Sequence, residues 1–181
     1  PAADQKIVMV NSDTWGGAAY TGLGITTVTS GYPTASPLII LHELGHSLGK
    51  LADEYSYDGA TRYTWSEPTS PNVSIYPALQ MASLGTKWSH WLGQSDIEGN
   101  GKIGTYEGAN YSVYGIYRPT MNSAMQAIGY DFNKPSIESI ISEIYKSVKA
   151  INAASSTSIL WRCSDTIGVQ VLEPTDHFLD I

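Results

Sequence analysis

The chain has 181 residues, 42% of them apolar, and a formal charge of −7 from 17 acidic and 10 basic side chains. That suits one globular domain with a packed core and makes nucleic acid and anionic membrane poor partners. No apolar run is long enough to span a bilayer, and the single cysteine, Cys163, allows no internal disulfide and reads as a small buried hydrophobe.

The chain opens at Pro1 and runs almost at once into "KIVMVNSD". No signal peptide is visible, and the start reads as that of a processed or excised piece. The abundance of Tyr, Ser, Thr, Asn and Gly, with few Lys, leans towards an exported protein.

In chain order, "QKIVMV" (5–10) predicts a short buried strand, ended by the turn-forming "NSDTWGG". "LGITTVTS" (23–30) is β-branched and predicts a second strand. Ser36 reads as an N-cap with Pro37 at the first helical position. The helix then runs to about Leu48, with Leu38, Leu41 and Leu48 on its packed side, Leu44 and Ile40 flanking, and Gly49 as its stop. Residues 56–80 form a long surface excursion, with a short helix near 76–83. "KWSHWLG" (87–93) is aromatic and partly buried. Residues 135–152 form an amphipathic helix, with Ile137, Ile140, Ile141, Ile144, Val148 and Ile151 on its period. "SILWRCSDTIGVQVLEP" returns to strand character. A single domain over 1–170, with 171–181 as a tail or linker to a further domain, accounts for the chain.

The chemistry concentrates in "LHELGHSLGKLADEY" (41–55). On a helix, side chains at i and i+4 share one face, so His42 and His46 can hold one metal ion. Glu43 sits at the edge of that face, placed to take a proton from a water without binding the ion itself. His-Glu-x-x-His in this context points to zinc, which in catalytic sites takes three protein ligands and keeps one position open. Gly49, three residues after His46, allows a left-handed exit from the helix that swings the following residues back under the ion. In the metzincin pattern the third ligand is a histidine six residues after the second; here that position is Ala52. The next residues, Asp53 and Glu54, are both competent carboxylate ligands, Asp53 being the shorter and closer, and His90 is a more distant choice.

"HELGHSLGKLADEY" resembles the signature of the bacterial IgA-peptidase-like zinc metallopeptidases. "GTYEGANYSVYGIYRPTMNSAM" (104–125) is similar to that family's second conserved block, and "NSDTWGGAAY" to its segment upstream of the zinc helix. The resemblance implies a metzincin-like zinc endopeptidase of α+β fold, secreted or on the bacterial cell surface, acting on protein or peptide substrates. It implies His42, His46 and Asp53 as zinc ligands and Glu43 as the base. It makes Met125 the methionine of the turn beneath the zinc, with Met121 as the competing choice, and Tyr117 a substrate-facing hydroxyl of the cleft. Zincins build most of their sheet ahead of the zinc helix, and only about 40 residues precede it here. Part of the N-terminal sheet is therefore expected outside this chain. A tyrosine that some metzincins carry two residues after the methionine is Ala127 here.

Two further expectations complete the reading. A substrate peptide would add along an edge strand, with 23–30 as that edge, and Trp88, Trp91 and the 56–80 excursion would shape side-chain pockets. "DIEGNGKIGTYE" (96–107) fits a calcium loop in its spacing, with Asp96, Glu98 and Asn100 at positions 1, 3 and 5, Gly101 at 6 and Glu107 at 12; the plain alternative is an Asn-Gly turn between strands. The other function classes open to the sequence are a zinc hydrolase acting on a non-protein bond, such as a cell-wall amide, and an inactive zincin-fold binding module.

Overall fold

The computed structural model describes residues 5–57, 59, 61–148, 151–154 and 169–171. Cys163 and the tail after 171 lie outside them. The fold is mixed α and β. The backbone forms two compact units, Pro1–Ile140 and Ile141–Ile181; the first carries all the chemistry described below. Among the described residues no helix is long and apolar enough to cross a membrane.

The first unit begins with a three-stranded sheet. β1 (Lys6–Val10) runs parallel to β3 (Ile25–Thr29), and β2 (Gly17–Tyr20) pairs antiparallel with the other side of β3. The sheet order β1-β3-β2 makes β3 the central strand. The expectation that 23–30 is an open edge is therefore wrong, because both of its edges are already paired. The open edge on the helix side is β2, whose "GAAY" carries little strand propensity and escaped the sequence reading. β1 is exposed along its length rather than buried.

Helix α1 (Ser36–Ser47) packs under β2 and β3. Its N-cap is Ala35, not Ser36. The Ser36 hydroxyl instead donates to the Thr29 carbonyl at 2.6 Å, tying the helix start to the end of β3. The packed face also differs from expectation: Leu38 and Leu41 are 37% and 51% exposed, while Ser36, Ile39, Glu43, Gly45 and Ser47 are buried. Small residues explain this. A Cβ at Gly17 would meet Ile39 Cγ2 at 2.6 Å and Glu43 Cγ at 3.0 Å, so β2 can lie directly over Glu43 only because Gly17 has no side chain. On the opposite side a Cβ at Gly45 would meet Met125 Sδ at 2.5 Å. The left-handed turn after the helix is made by Lys50, at φ 58°, not by Gly49. Gly49 is required for closeness, since its Cβ would lie 2.7 Å from Ile140 Cγ1.

The excursion after 56 wraps a hairpin of β4 (Tyr106–Ala109) and β5 (Ser112–Arg118). Asn110 and Tyr111 form its two-residue tip, both at positive φ, 45° and 66°, as a tight hairpin turn demands. Single bridges join Ser56, Arg62 and Ser74 to Tyr111, Tyr114 and Tyr117. Lys87 pins the excursion by donating to the Pro68 and Ser70 carbonyls at 2.5 and 2.7 Å. Two apolar clusters sit beneath, one of Val73, Ala109 and Ile116 and one of Met81, Trp88 and Ile103. Trp88 is thus core, and its indole donates to the Gly104 carbonyl at 2.7 Å. Helix α2 (Ala78–Leu84) follows the expected position closely.

Helix α3 (Lys134–Ser147) stops short of the predicted end at 152. In the second unit Ile151–Ala154 becomes β6, paired antiparallel with β7 (Val169–Val171). Helical periodicity continues through Ile151, but strand pairing claims those residues. One consequence of the close packing is measurable: Gly45→Ala should lower stability by about 1–3 kcal/mol through overpacking against Met125, read from urea unfolding of the metal-free protein.

Candidate metal centre

His42 and His46 project from the same face of α1, with ring centroids 4.9 Å apart. The chain leaving the helix returns beneath them as the segment 51–55. The Asp53 carbonyl there accepts the Asn110 amide at 2.9 Å, and the Tyr55 carbonyl accepts the Tyr111 amide at 3.0 Å. Successive side chains of an extended segment point to opposite sides. Asp53 therefore faces the histidines, while Ala52 packs on the Val73 cluster and Glu54 is turned into the interior, fully buried.

Asp53 Oδ1 lies 3.1 Å from His42 Nε2 and 3.2 Å from His46 Nε2. The nitrogen and oxygen donors of the three residues lie within 4.8 Å of one another. His42 Nδ1 is 2.8 Å from the Ala124 carbonyl, and His46 Nδ1 is 2.7 Å from the Leu51 carbonyl. A carbonyl only accepts, so each Nδ1 carries the proton and each Nε2 of a neutral ring presents its lone pair. Three acceptors brought this close repel one another unless a cation lies among them. Zinc bonds of about 2.0–2.1 Å in a tetrahedron place neighbouring donor atoms about 3.3 Å apart, and the two spacings to Asp53 match that edge. The donor set and its geometry therefore fit a zinc ion.

Burial alone would raise the Asp53 carboxyl, but its close contacts with His42 and His46 and the hydrogen bond from the Tyr111 hydroxyl more than offset it, so its pKa falls far below the ordinary carboxylate range. Burial pulls the His46 imidazole down, and its contacts with Asp53 and the Leu51 carbonyl outweigh that and raise it. Glu43 makes no claim on the three-atom cluster. It is buried at the cleft wall, and desolvation raises its pKa. Burial and the bond to Asp53 push the Tyr111 hydroxyl up to about 12.

Two clefts meet at Glu43. One, of about 360 Å³, is lined by Gly17, Ala18, Ala19, Thr21, Tyr55 and Tyr111 together with the three donors. The other, of about 270 Å³, is bounded by Trp15, Ile39, Gln126, Ala127 and Ile128 and shares Gly17, His42, Glu43 and Tyr55 with the first. Tyr55 stacks on His42, with centroids 6.5 Å apart and planes 26° apart, and meets Tyr111 edge-on at 5.4 Å.

Glu54, the alternative third ligand, is the centre of a buried polar network. Its carboxylate accepts from Ser123 Oγ at 2.6 Å, Asn72 Nδ2 at 2.9 Å and Asn133 Nδ2 at 3.2 Å. Its amide donates to the Met125 carbonyl at 2.8 Å. Asn72 also clamps both the amide and the carbonyl of Ala52 at 2.8 Å. Desolvation raises the Glu54 pKa to about 7 against these donors. The network fixes the Asp53 segment against the 123–125 turn, whose Ala124 carbonyl orients His42.

The remaining expected residues divide clearly. Met125 is fully buried against Gly45, between the two histidines along the helix, whereas Met121 is 52% exposed. His90 is not near the cluster: it and Trp91 both bond Glu138, at 2.9 and 2.8 Å. Tyr117 lies in β5, where its backbone pairs with Ser74, and it lines neither cleft at Glu43. Trp88 and Trp91 also stay outside both clefts. In the twelve-residue calcium spacing, the last position, Glu107, has Oε1 accepting the Gly115 amide at 2.8 Å across the hairpin, and the segment ahead of the loop is a 3-10 turn, Ser89–Trp91, rather than an α-helix. Sequence reasoning missed Tyr111, Tyr55 and the β2 wall; the Asn-Tyr hairpin tip was the one available signal for Tyr111.

A family model described as IgA peptidase M64 matches residues 1–99 and 94–144. The chain belongs to this peptidase family, whose members are metallopeptidases. No curated protein matches the chain.

Asp53→Ala should abolish stable uptake of zinc, while the wild type holds about one ion per chain. Glu54→Ala should weaken zinc about 10–100-fold through misplaced ligands and lower stability by about 3 kcal/mol through unsatisfied buried donors. Chelator competition and urea unfolding measure the two effects separately. Undiminished zinc affinity in Glu54→Ala would show that the network supports the fold without positioning the ligands.

Proposed function

We propose that the chain is a zinc-dependent endopeptidase in which Glu43 is the general base. The observation that carries this reading is the convergence of His42 Nε2, His46 Nε2 and Asp53 Oδ1 beside a buried carboxylate that is not one of the three donors. Zinc, when bound, lowers the pKa of a coordinated water towards about 7 and polarises the scissile carbonyl.

The chain's own residues supply the rest. Glu43 takes the proton of the attacking water and delivers it to the leaving amine nitrogen. Its raised pKa brings it nearer the pH at which a carboxylate can both accept and return a proton. Asp53 stays ionised and adds the negative charge that a divalent ion needs, with the Tyr111 hydroxyl holding its second oxygen. The Ala124 and Leu51 carbonyls keep both imidazoles in the binding tautomer.

A peptide substrate adds to the open edge of β2, whose Gly17, Ala18 and Ala19 leave room for a second backbone. Side chains on either side of the cleaved bond enter the two clefts that meet at Glu43. Export from the cell, or display on its surface, belongs to this proposal and is supported by composition and by the family resemblance.

Glu43→Gln should retain zinc and lose about 10³-fold in peptide cleavage, measured with a protein substrate and a quenched peptide library. The acid limb of the pH–rate profile should lie above the ordinary glutamate value of 4.5, because the base works only when deprotonated and its pKa is raised. Zinc-loaded protein that cuts no peptide but releases amides from cell-wall material would sink the endopeptidase reading. Full activity in Glu43→Gln would sink the assignment of the base.

A further inference from the structure

The turn at 96–101 holds polar atoms that peptide cleavage does not use. It is closed by the bridge between Ser95 and Lys102 and by the Asp96 amide donating to the Gly101 carbonyl at 3.1 Å. Asn100 is 1% exposed. Its Nδ2 donates to the Asp131 carbonyl at 3.0 Å, which fixes the amide orientation and leaves Oδ1 as an acceptor. No donor among the described residues reaches that oxygen, nor the buried Oδ2 of Asp96. The other Asp96 oxygen accepts the Lys134 amide at 2.8 Å, so both side chains are held from the same segment, 131–134. Glu98 lies exposed between them in sequence.

A buried acceptor without a donor bears the full cost of its lost hydration. Two of them in one six-residue turn, one carboxylate and one amide, with the exposed Glu98 two residues from each in sequence, offer oxygen donors to a hard cation. We propose that this turn binds a calcium ion through Asp96 Oδ2, Asn100 Oδ1 and the Glu98 carboxylate, with water completing the six to eight oxygens that calcium takes. The donor set has no nitrogen or sulfur to favour zinc. Magnesium, which demands a near-ideal octahedron and sheds water reluctantly, suits an irregular turn less well. Glu107 takes no part, so the site is not the twelve-residue loop that the sequence spacing suggests. With two carboxylates, the affinity belongs to the weak class, with Kd of about 10⁻⁴–10⁻³ M.

The ion would brace the floor of the metal centre. The Asp131 carbonyl that holds Asn100 also accepts the Ala124 amide at 2.9 Å, and the Ala124 carbonyl orients His42. Asn122 donates to the Gly99 carbonyl at 3.3 Å, adding a second tie between the turn and that floor.

The test uses the full chain loaded with zinc. Terbium luminescence excited through tryptophan, with calcium as competitor, reads binding; thermal unfolding reads its effect. Saturable terbium binding displaced by calcium is expected, with a rise in Tm of about 2–5 °C at about 5 mM calcium and a smaller one with magnesium. Glu98→Gln, an exposed change that leaves the fold intact, should weaken calcium about tenfold. Asp96→Asn, which keeps the shape and the Lys134 bond, should abolish it. Folded wild type without saturable binding would overturn the proposal, as would binding that is unchanged in both variants. Zinc content, measured on the same samples, separates this outcome from any failure of the peptidase reading.

Discussion

Three electron-rich atoms meeting in one small space is an arrangement that charge repulsion opposes, and the fold is organised around holding them there. Asp53 Oδ1 approaches His42 Nε2 to 3.1 Å and His46 Nε2 to 3.2 Å. Each is held from behind: the imidazoles by the Ala124 and Leu51 carbonyls, the carboxylate by the Tyr111 hydroxyl. A divalent cation converts this mutual repulsion into attraction, so ion binding and local order support each other.

The supports come from segments far apart in sequence. The Ala124 carbonyl lies 82 residues from His42, and Tyr111 lies 58 residues from Asp53. Glu54 is where these segments meet, since its carboxylate and amide together bond Asn72, Ser123, Asn133 and Met125. Adjacent carboxylates thus have separate tasks. Asp53 faces the two histidines, and Glu54 ties the Asp53 segment to the floor beneath them.

The same economy of space appears around α1. Gly17 above and Gly45 below remove the side chains that would hold β2 and Met125 away from the helix. The result is a carboxylate, Glu43, buried between β2 and an apolar floor. Burial raises the Glu43 pKa, while the histidines beside it pull it down. The wall that a substrate would meet is made of glycine and alanine, which a polypeptide backbone can approach closely.

Much of this centre was legible in residues 42–54. The i, i+4 spacing of His42 and His46 defines a shared face through helix geometry alone, and Glu43 follows from adjacency. The family could be read from the same stretch. The third donor was narrowed to neighbours, and tertiary structure decided between them: pairing of 53–55 with the hairpin tip makes that segment extended, so Asp53 and Glu54 must face opposite ways. Ser36, Leu38 and Leu41 depart from expectation because amphipathic periodicity assumes an apolar packed face, whereas α1 packs through Ser36, Ile39, Glu43, Gly45 and Ser47. The β2 wall was invisible because Gly-Ala-Ala has no strand signature. Tyr111, Tyr55 and the network around Glu54 depend on long-range contacts that no local pattern encodes. Local spacing determined which side chains could act together; only the folded chain decided which carboxylate turned towards them, and what held it there.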